Sequence, residues 1–161
     1  MPLLRLPRTV GCLACGRGNP RGLQLSLFVD DATGDVTTDV NFAREFIGFA
    51  DVLHGGILAT VADEVMVWAA TWAGSRFCLC AELSVRYRRP ARPGQAYQFV
   101  ATVEGSRTRL ITTACSVLDA DGTVVANATA KYVPVSADEH ARVVATFLPE
   151  EDTAEAARIL S

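Results

Sequence analysis

Two acidic residues lie in the middle of the most apolar stretch of the chain. The stretch reads HGGILATVADEVMVWAATWAG, from His54 to Gly74, with Asp63 and Glu64 at its centre. Its length, its apolar content and its terminal glycine predict a helix that begins at Gly55 or Gly56 and ends before Gly74. Carboxylates are costly to bury in such a helix, so this pair calls for a chemical explanation.

The start of this helix and Asp63 together suit carbonyl chemistry. At about 100° per residue, Asp63 returns to nearly the angular position of Gly56, two turns further along the helix. The Gly56 N–H has no partner within the helix, and Gly55 and Gly56 let a ligand approach closely. The amide can hold the oxygen of a thioester or ester, while the carboxylate attacks the carbonyl or takes a proton from water.

A solvated helix edge is the competing explanation for the acid pair. The helix dipole favours acidic residues only in the first turn of a helix, and Asp63 lies beyond that turn. The dipole therefore does not account for Asp63. The combination of His-Gly-Gly, a helix and an acid nine residues after His54 favours catalysis. We expect Glu64 to contact the sheet edge or a neighbouring subunit, and His54 to orient the turn rather than to act as a base.

The rest of the pattern predicts an α+β fold in which one antiparallel sheet wraps around the single long helix. Strand-like alternation precedes the helix in GLQLSLFVD and VTTDVNF. Four further strand segments follow it in meander order: FCLCAELSVRYRRP, QAYQFVATVEGS, RLITTACSVLD and TVVANATAKYVPV. Asp121-Gly122 marks a hairpin between the last two. An apolar helix must be covered by other elements, and a curled sheet provides that cover.

Composition narrows the function classes. Of the 161 residues, 50% are hydrophobic and 20% are charged, which is typical of a globular domain. The formal net charge of −3 argues against general nucleic-acid binding. We expect no membrane span and no secretory signal, and therefore a cytoplasmic protein. We predict an irregular arm at residues 1–20, the main domain at 21–135 and a helical surface tail at 136–161.

Cys12 and Cys15 form a C-x-x-C pair near the N-terminus. A zinc site needs about four ligands, and the other three cysteines, Cys78, Cys80 and Cys115, have no matching spacing. A redox C-x-x-C is expected to open a helix after a strand, whereas this one leads into a loop. The sequence therefore favours a tight turn with small buried thiols, and we predict no metal site and no disulfide framework.

Three of these segments together resemble the hotdog-fold acyl-CoA thioesterases, in particular the PaaI-like branch of the 4-hydroxybenzoyl-CoA thioesterase superfamily. The segments are HGGILATVADE, AELSVRYRRPARPGQ and DADGTVVANATAKYVPV, and the arm CLACGRGNPRGLQL looks like the N-terminal signature of many bacterial members. The resemblance covers residues 12–135. It implies hydrolysis of an acyl-CoA or acyl-carrier-protein thioester without a cofactor, coenzyme A being part of the substrate. It also implies a homodimer or a dimer of dimers, with each active site between two subunits.

The resemblance implies roles for individual residues. Asp63 matches the catalytic carboxylate, acting as base or nucleophile, and Gly56 matches the oxyanion-binding amide. His54 and Gly55 complete the turn. Asp63 of one chain is expected to face strand residues near Cys80 of the other.

Two positions depart from the family pattern. Gly48 stands where many members have an asparagine six residues before the histidine, and Cys80 stands where many have Ser or Thr. A thiol is a weaker hydrogen-bond partner than a hydroxyl, so we expect altered water positioning or weak activity. A non-catalytic acyl-CoA-binding protein therefore stays open as an alternative. The second alternative is a hotdog enoyl-thioester hydratase or dehydratase, although in that class the catalytic acidic residue is expected nearer the start of the helix.

Two groups of residues are candidates for substrate binding. Guanidinium groups suit the phosphates of coenzyme A, and four arginines lie on or just beyond one strand: Arg86, Arg88, Arg89 and Arg92. A solvated strand face explains them equally well. Three residues before the histidine are the candidates for the acyl pocket: Asn41, Phe46 and Phe49.

Overall fold

The computed structural model describes residues 3–161, so Met1 and Pro2 of the predicted arm lie outside the described residues. Seven strands lie within this range: β1 Leu3–Arg5, β2 Phe28–Asp30, β3 Val36–Asn41, β4 Cys78–Tyr87, β5 Ala96–Arg107, β6 Leu110–Asp119 and β7 Val124–Pro134. The α-helices in it are α1 Gly55–Gly74, α2 Ala137–Val144 and α3 Ala154–Leu160. Short 3-10 helices occupy Arg44–Phe46 and Glu151–Thr153. Within the described range, no helix is both long and apolar enough to cross a membrane.

The strands form one antiparallel sheet in the order β1-β2-β3-β5-β6-β7-β4. Helix α1 packs against β3, β4, β5, β6 and β7, so the sheet wraps around it. This arrangement is the hotdog fold and confirms the predicted fold class. The crossover from β4 to β5 leaves β4 as an edge strand of 10 residues.

Helix α1 is buried because nearly every face of it is apolar. Its buried residues include Val61, Val65 and Met66, each fully enclosed. On the sheet side, alternate positions of β7 carry small buried side chains, namely Ala126, Ala128 and Ala130. Small residues at alternate strand positions let a helix approach the sheet closely. The helix ends at Ser75, a left-handed residue whose N–H bonds to the Thr71 and Trp72 carbonyls.

A β-bulge in β4 changes which side chains of this strand face the helix. The pairing with β7 shifts between Cys80 and Glu82, so Ala81 is the extra residue. Leu79 therefore pairs with Val133 on the outer face and is 68% exposed. Beyond the bulge, Leu83, Val85 and Tyr87 pair with the buried alanines of β7 and face the helix. The residues that face the helix are thus even-numbered before the bulge and odd-numbered after it.

The segment from Leu23 to Asp30 forms a regular ladder only in its last three residues. Leu25, Leu27 and Val29 are buried, as the alternation predicts. Earlier in the segment, Gln24 has a positive φ of 51°. Here the backbone pairs with the arm instead, since the Leu25 N–H bonds to the Ala14 carbonyl at 2.9 Å.

The N-terminal arm and the C-terminal tail pack against each other. The Leu148 N–H bonds to the Arg8 carbonyl at 2.9 Å, and the guanidinium of Arg8 bonds to both carboxylate oxygens of Glu150. Ala156 and Leu160 of α3 are buried. The expected surface tail therefore carries a buried face, because α3 packs against strand β1 of the arm.

Candidate active site

Asp63 is held on the concave side of the sheet by a tyrosine from the last strand. The hydroxyl of Tyr132 donates to Asp63 Oδ1 at 2.7 Å and lies 3.1 Å from the Asp63 carbonyl. Tyr132 is itself fully buried, and burial raises the pKa of its phenol, with a further rise from the neighbouring carboxylate. Asp63 is half-buried. A carboxylate at this position is oriented by the protein and still accessible.

Cys80 lies beside Asp63 in the same chain. It pairs with Tyr132 across the β4–β7 ladder, so both side chains point toward the helix. Burial raises the pKa of the Cys80 thiol, and the negative charge of Asp63 adds to that effect. The register of β4 on β7 thus places Cys80 beside Asp63 within one chain, while the expected approach of Asp63 to the Cys80 region of a second chain stays a prediction.

His54 caps the start of α1. Its Nδ1 accepts a hydrogen bond from the Gly56 N–H at 3.0 Å, and its carbonyl accepts from the Ile57 N–H at 2.9 Å. Two of the free amides at the helix start are thereby satisfied. In the described part of the chain, the Gly55 N–H has no hydrogen-bond partner. The sequence predicts Gly56 as the free amide, whereas in the structure that amide is occupied by His54.

A groove of about 540 Å³ opens at Gly55. Mostly apolar residues line it: Phe49, Val52, Leu53, Leu58, Tyr87, Pro90 and Ala91. Phe49 is 80% exposed, so a large apolar residue is left uncovered at the rim. The Tyr87 hydroxyl donates to the Gly55 carbonyl at 2.6 Å. A Cβ on Gly55 would lie 3.1 Å from that tyrosine, so a glycine fits best here.

The arginines predicted to bind phosphate divide between two surfaces. Arg88 and Arg89 line the Gly55 groove. Arg86 and Arg88 line a smaller hollow of about 260 Å³ on the outer face of β4 and β7. The Nε of Arg88 is held by Asn127 Oδ1 at 2.6 Å, which places this guanidinium between the two surfaces.

Gly55 and Asp63 lie on different turns of the same helix. Eight residues at 1.5 Å each separate them by about 12 Å along the helix axis. A side chain as short as aspartate does not span that distance, so the two groups of one chain cannot reach the same carbonyl carbon. The edge strand β4, which runs past both of them, exposes Leu83 and Tyr87.

The structure brings together only part of the predicted site. Gly55, Phe49, Arg88 and Arg89 share the groove, whereas Asp63 and Cys80 lie further along the helix. Asn41 is exposed at the end of β3 and pairs with Ala96, outside the groove, because β3 joins the sheet on the other side of β5. Phe46 packs against the core.

Tyr132 and Tyr87 are the site residues that the sequence did not single out. The sequence could have indicated Tyr132. It continues the alternate positions of Ala126, Ala128 and Ala130 along β7, and the side chains at these positions point to the same face of the sheet, toward the helix. The partner of Tyr132 on the helix, Asp63, depends on how β7 packs against α1, and this tertiary contact cannot be read from the strand pattern.

Glu64 turns away from Asp63 toward the N-terminal arm. One of its carboxylate oxygens accepts from Trp68 Nε1 at 3.0 Å, and the Cys12 thiol lies 3.8 Å from the same oxygen. Burial raises the pKa of Glu64 to about 7, and the negative charge of Cys12 adds to the rise. We expected Glu64 at the sheet edge or a subunit interface. It lies instead under the arm of its own chain, because it is one helical position beyond Asp63.

Comparisons with known proteins agree with this fold. The family model of the thioesterase superfamily matches residues 50–126, the segment from the loop before His54 into β7. A crystal structure of a thioesterase superfamily protein is 27% identical with a TM-score of 0.70, and the match covers 76% of this chain and 59% of that one. A comparison with curated proteins gives no match.

Two further solved structures share the fold at lower identity. The PaaI protein from the phenylacetic acid degradation operon of E. coli is 17% identical, with a TM-score of 0.66 and coverage of 71% of this chain and 81% of that one. An acyl-CoA hydrolase from Staphylococcus aureus is 16% identical, with a TM-score of 0.62 and coverage of 66% of each chain. Together with the match to the family model over residues 50–126, these structures show that this chain has the hotdog fold of thioesterase superfamily proteins.

Proposed function

We propose that this protein is an acyl-CoA thioesterase of the PaaI-like type. The observation that carries the proposal is the groove at Gly55, which joins an unpaired backbone amide, an apolar wall and two arginines. These three features suit the three parts of an acyl-CoA: the carbonyl, the acyl chain and the phosphates. The S. aureus acyl-CoA hydrolase, which shares the fold, was crystallised with butyryl coenzyme A and coenzyme A.

The Gly55 N–H is the amide that we propose for the oxyanion. It lies at the positive end of α1, and no hydrogen bond to another described residue competes for it. The Gly56 N–H, which the sequence favours, is available only if the His54 ring turns away from it. A donor that is already free needs no rearrangement when negative charge develops on the thioester oxygen.

Asp63 serves as the catalytic carboxylate, and it acts on a substrate held by a second copy of the chain. The axial separation of about 12 Å between Gly55 and Asp63 requires the two groups to come from different protomers. An antiparallel pairing of two β4 edges buries the exposed Leu83 and Tyr87 and brings the helix start of one copy beside Asp63 of the other. The proposed unit is therefore a homodimer, which can pair further into a dimer of dimers.

Hydrolysis follows from these positions in two steps. Asp63 takes a proton from a water molecule whose oxygen adds to the thioester carbon, and the carbonyl oxygen gains negative charge at the Gly55 amide. The carbon–sulfur bond then breaks, the carbonyl reforms, and the coenzyme A thiolate leaves and takes up a proton. Direct attack by the carboxylate gives the same products through an anhydride, which water then cleaves. The chemistry needs no metal or organic cofactor.

Release of free thiol from a panel of acyl-CoAs tests the proposal. We expect stoichiometric coenzyme A and carboxylic acid from at least one short, long or aromatic acyl-CoA. The arginines at the groove favour coenzyme A over an acyl carrier protein, and the same assay with an acyl-carrier thioester compares the two. A change in the acyl chain without thiol release indicates the hydratase or dehydratase alternative. Binding without any reaction indicates an acyl-CoA-binding protein. Gly48 and Cys80, which replace the Asn and Ser/Thr of many family members, are consistent with this alternative.

A further inference from the structure

Three potential metal ligands converge beneath the N-terminal arm. They are the thiols of Cys12 and Cys15 and the carboxylate of Glu64, whose ligand atoms all lie within 4.8 Å of one another. Cys12 Sγ is 3.8 Å from one carboxylate oxygen and 4.0 Å from the other. Cys15 is 1% exposed, while Cys12 reaches the surface in part. The C-x-x-C pair thus has a third ligand that its sequence spacing does not reveal.

The turn between the two cysteines is shaped to hold a thiolate. The backbone N–H groups of Ala14 and Cys15 both point at Cys12 Sγ, at 3.3 and 3.4 Å. The Gly16 N–H bonds to the Cys12 carbonyl at 2.9 Å and closes the turn. A Cβ on Gly16 would lie 2.4 Å from the Cys12 backbone, so this position admits only glycine. Amide donors directed at sulfur favour the thiolate, which is the form that binds metal.

Glu64 is a partly buried carboxylate that forms no ion pair among the described residues. Among the described residues, Trp68 and the Cys12 thiol are its side-chain hydrogen-bond donors, and the thiol contacts are long. Buried carboxylates are normally paired with a cation or coordinate a metal. A cation placed between the two sulfurs and Glu64 supplies the missing partner.

We propose that Cys12, Cys15 and Glu64 form a binding site for Zn²⁺ or another thiophilic divalent cation. Two sulfurs separated by two residues and one carboxylate are a donor set that zinc accepts in tetrahedral geometry. On binding, the thiol protons pass to solvent and the cation takes their place. The fourth position is left to water on the partly exposed Cys12 side. The site links the arm to the middle of α1 across 52 residues of sequence, so a bound cation would hold the arm against this helix.

Titration of the chelator-treated, reduced full-length protein with Co²⁺ and Zn²⁺ tests this site. We expect one equivalent of Co²⁺ per chain, with a thiolate-to-metal charge-transfer band that Zn²⁺ abolishes by displacement. Cys12→Ser and Cys15→Ser should lose the band, and Glu64→Gln should weaken binding by about tenfold or more. Cys80→Ser and Glu82→Gln are the matched controls, since both residues are exposed and lie outside the cluster. Absence of the band in the wild-type protein, or equal loss in the controls, overturns the proposal.

A second measurement needs no variant and so does not depend on whether the variants fold. Bound Zn²⁺ should protect the partly exposed Cys12 from alkylation, as read by mass spectrometry of peptides, while Cys80 still reacts. It should also raise the unfolding temperature, because a ligand that binds only the folded state stabilises it. Equal alkylation of Cys12 with and without Zn²⁺ contradicts the site. So does recovery of Cys12 and Cys15 from the reduced, Zn²⁺-treated protein as a disulfide.

Discussion

The hydroxyl of Tyr132 donates a 2.7 Å hydrogen bond to Oδ1 of Asp63, across 69 residues of sequence. The tyrosine is 0% exposed, so its ring cannot leave this position without disturbing the packing of α1 on the sheet. The bond directs one oxygen of the Asp63 carboxylate toward β7 and leaves the second oxygen for a substrate or a water molecule. Tyr132 is therefore a positioning residue for the proposed reaction.

Replacement of Tyr132 by phenylalanine tests this role. Tyr132→Phe should lower kcat by about tenfold with little change in KM, because the carboxylate is retained but no longer oriented. Steady-state kinetics with the acyl-CoA that is hydrolysed fastest measures kcat and KM separately. Tyr97→Phe is the matched control, since Tyr97 is also buried and its hydroxyl also makes hydrogen bonds, at 2.8 and 3.1 Å. Equal kcat losses in the two variants would indicate a general effect on stability.

His54 contributes to stability through its hydrogen bond from the Gly56 N–H. His54→Ala should lower the free energy of unfolding by about 0.5–2 kcal/mol, whereas His54→Asn should retain most of it, because asparagine also caps helices. Urea denaturation of the three proteins measures the difference. Identical unfolding midpoints for the alanine variant and the wild type would contradict the capping role.

A site shared between protomers predicts complementation between two inactive variants. Asp63→Asn removes the carboxylate, and Gly55→Val places a side chain against Tyr87 at the other half of the site. Each variant alone should be inactive. Co-expression should restore about a quarter of wild-type activity, because half of the dimers are mixed and each mixed dimer has one intact site. If mass spectrometry detects mixed dimers but activity does not recover, Gly55 and Asp63 of one site must come from the same chain.

The ion pair between Arg8 and Glu150 predicts a loss of stability in acid. The hydrogen bond from Arg8 lowers the pKa of Glu150 below its ordinary 4.5, against the opposing effect of burial. The pair therefore stabilises the fold above pH 4.5, and this contribution disappears as the pH falls through the lower folded-state value. Glu150→Gln should lower the free energy of unfolding by about 1–2 kcal/mol at pH 7. At a pH well below the folded-state pKa of Glu150, the substitution should have no effect on stability.

The exposed pair Arg142–Glu139 provides the control for this ion pair. Its side chains are 75% and 54% exposed, so Glu139→Gln should change stability by less than about 0.5 kcal/mol. Urea unfolding at several pH values compares the two variants. A constant difference between Glu150→Gln and wild type at every pH would contradict an electrostatic origin.

The sequence predicts the fold well because its strongest signals are local. The apolar run of α1, the Asp121-Gly122 turn and the alternation in β5, β6 and β7 depend on neighbouring residues, and each appears where the pattern places it. The strand β1 was missed, since three residues of an arm become a strand only when β2 is available as a partner. The bulge at Ala81 was missed because it depends on pairing with β7.

The candidate site was harder to predict, because its contacts are between residues distant in sequence. The helix start and Asp63 could be read from the His-Gly-Gly pattern. Which amide remains free depends on the rotamer of His54, and which tyrosine reaches Asp63 depends on strand register. The third member of the cysteine cluster, Glu64, is unrecognisable from spacing, because the arm folds back over the middle of α1.

Turnover by Asp63→Asn tests the central claim most directly. Asparagine preserves the shape of the side chain and can still accept the hydrogen bond from Tyr132, so the fold and the binding of coenzyme A should be retained. With the acyl-CoA that the wild-type protein hydrolyses fastest, the account predicts a loss of thiol release of about 10²–10⁴-fold or more. An Asp63→Asn protein that releases thiol at the wild-type rate would contradict it.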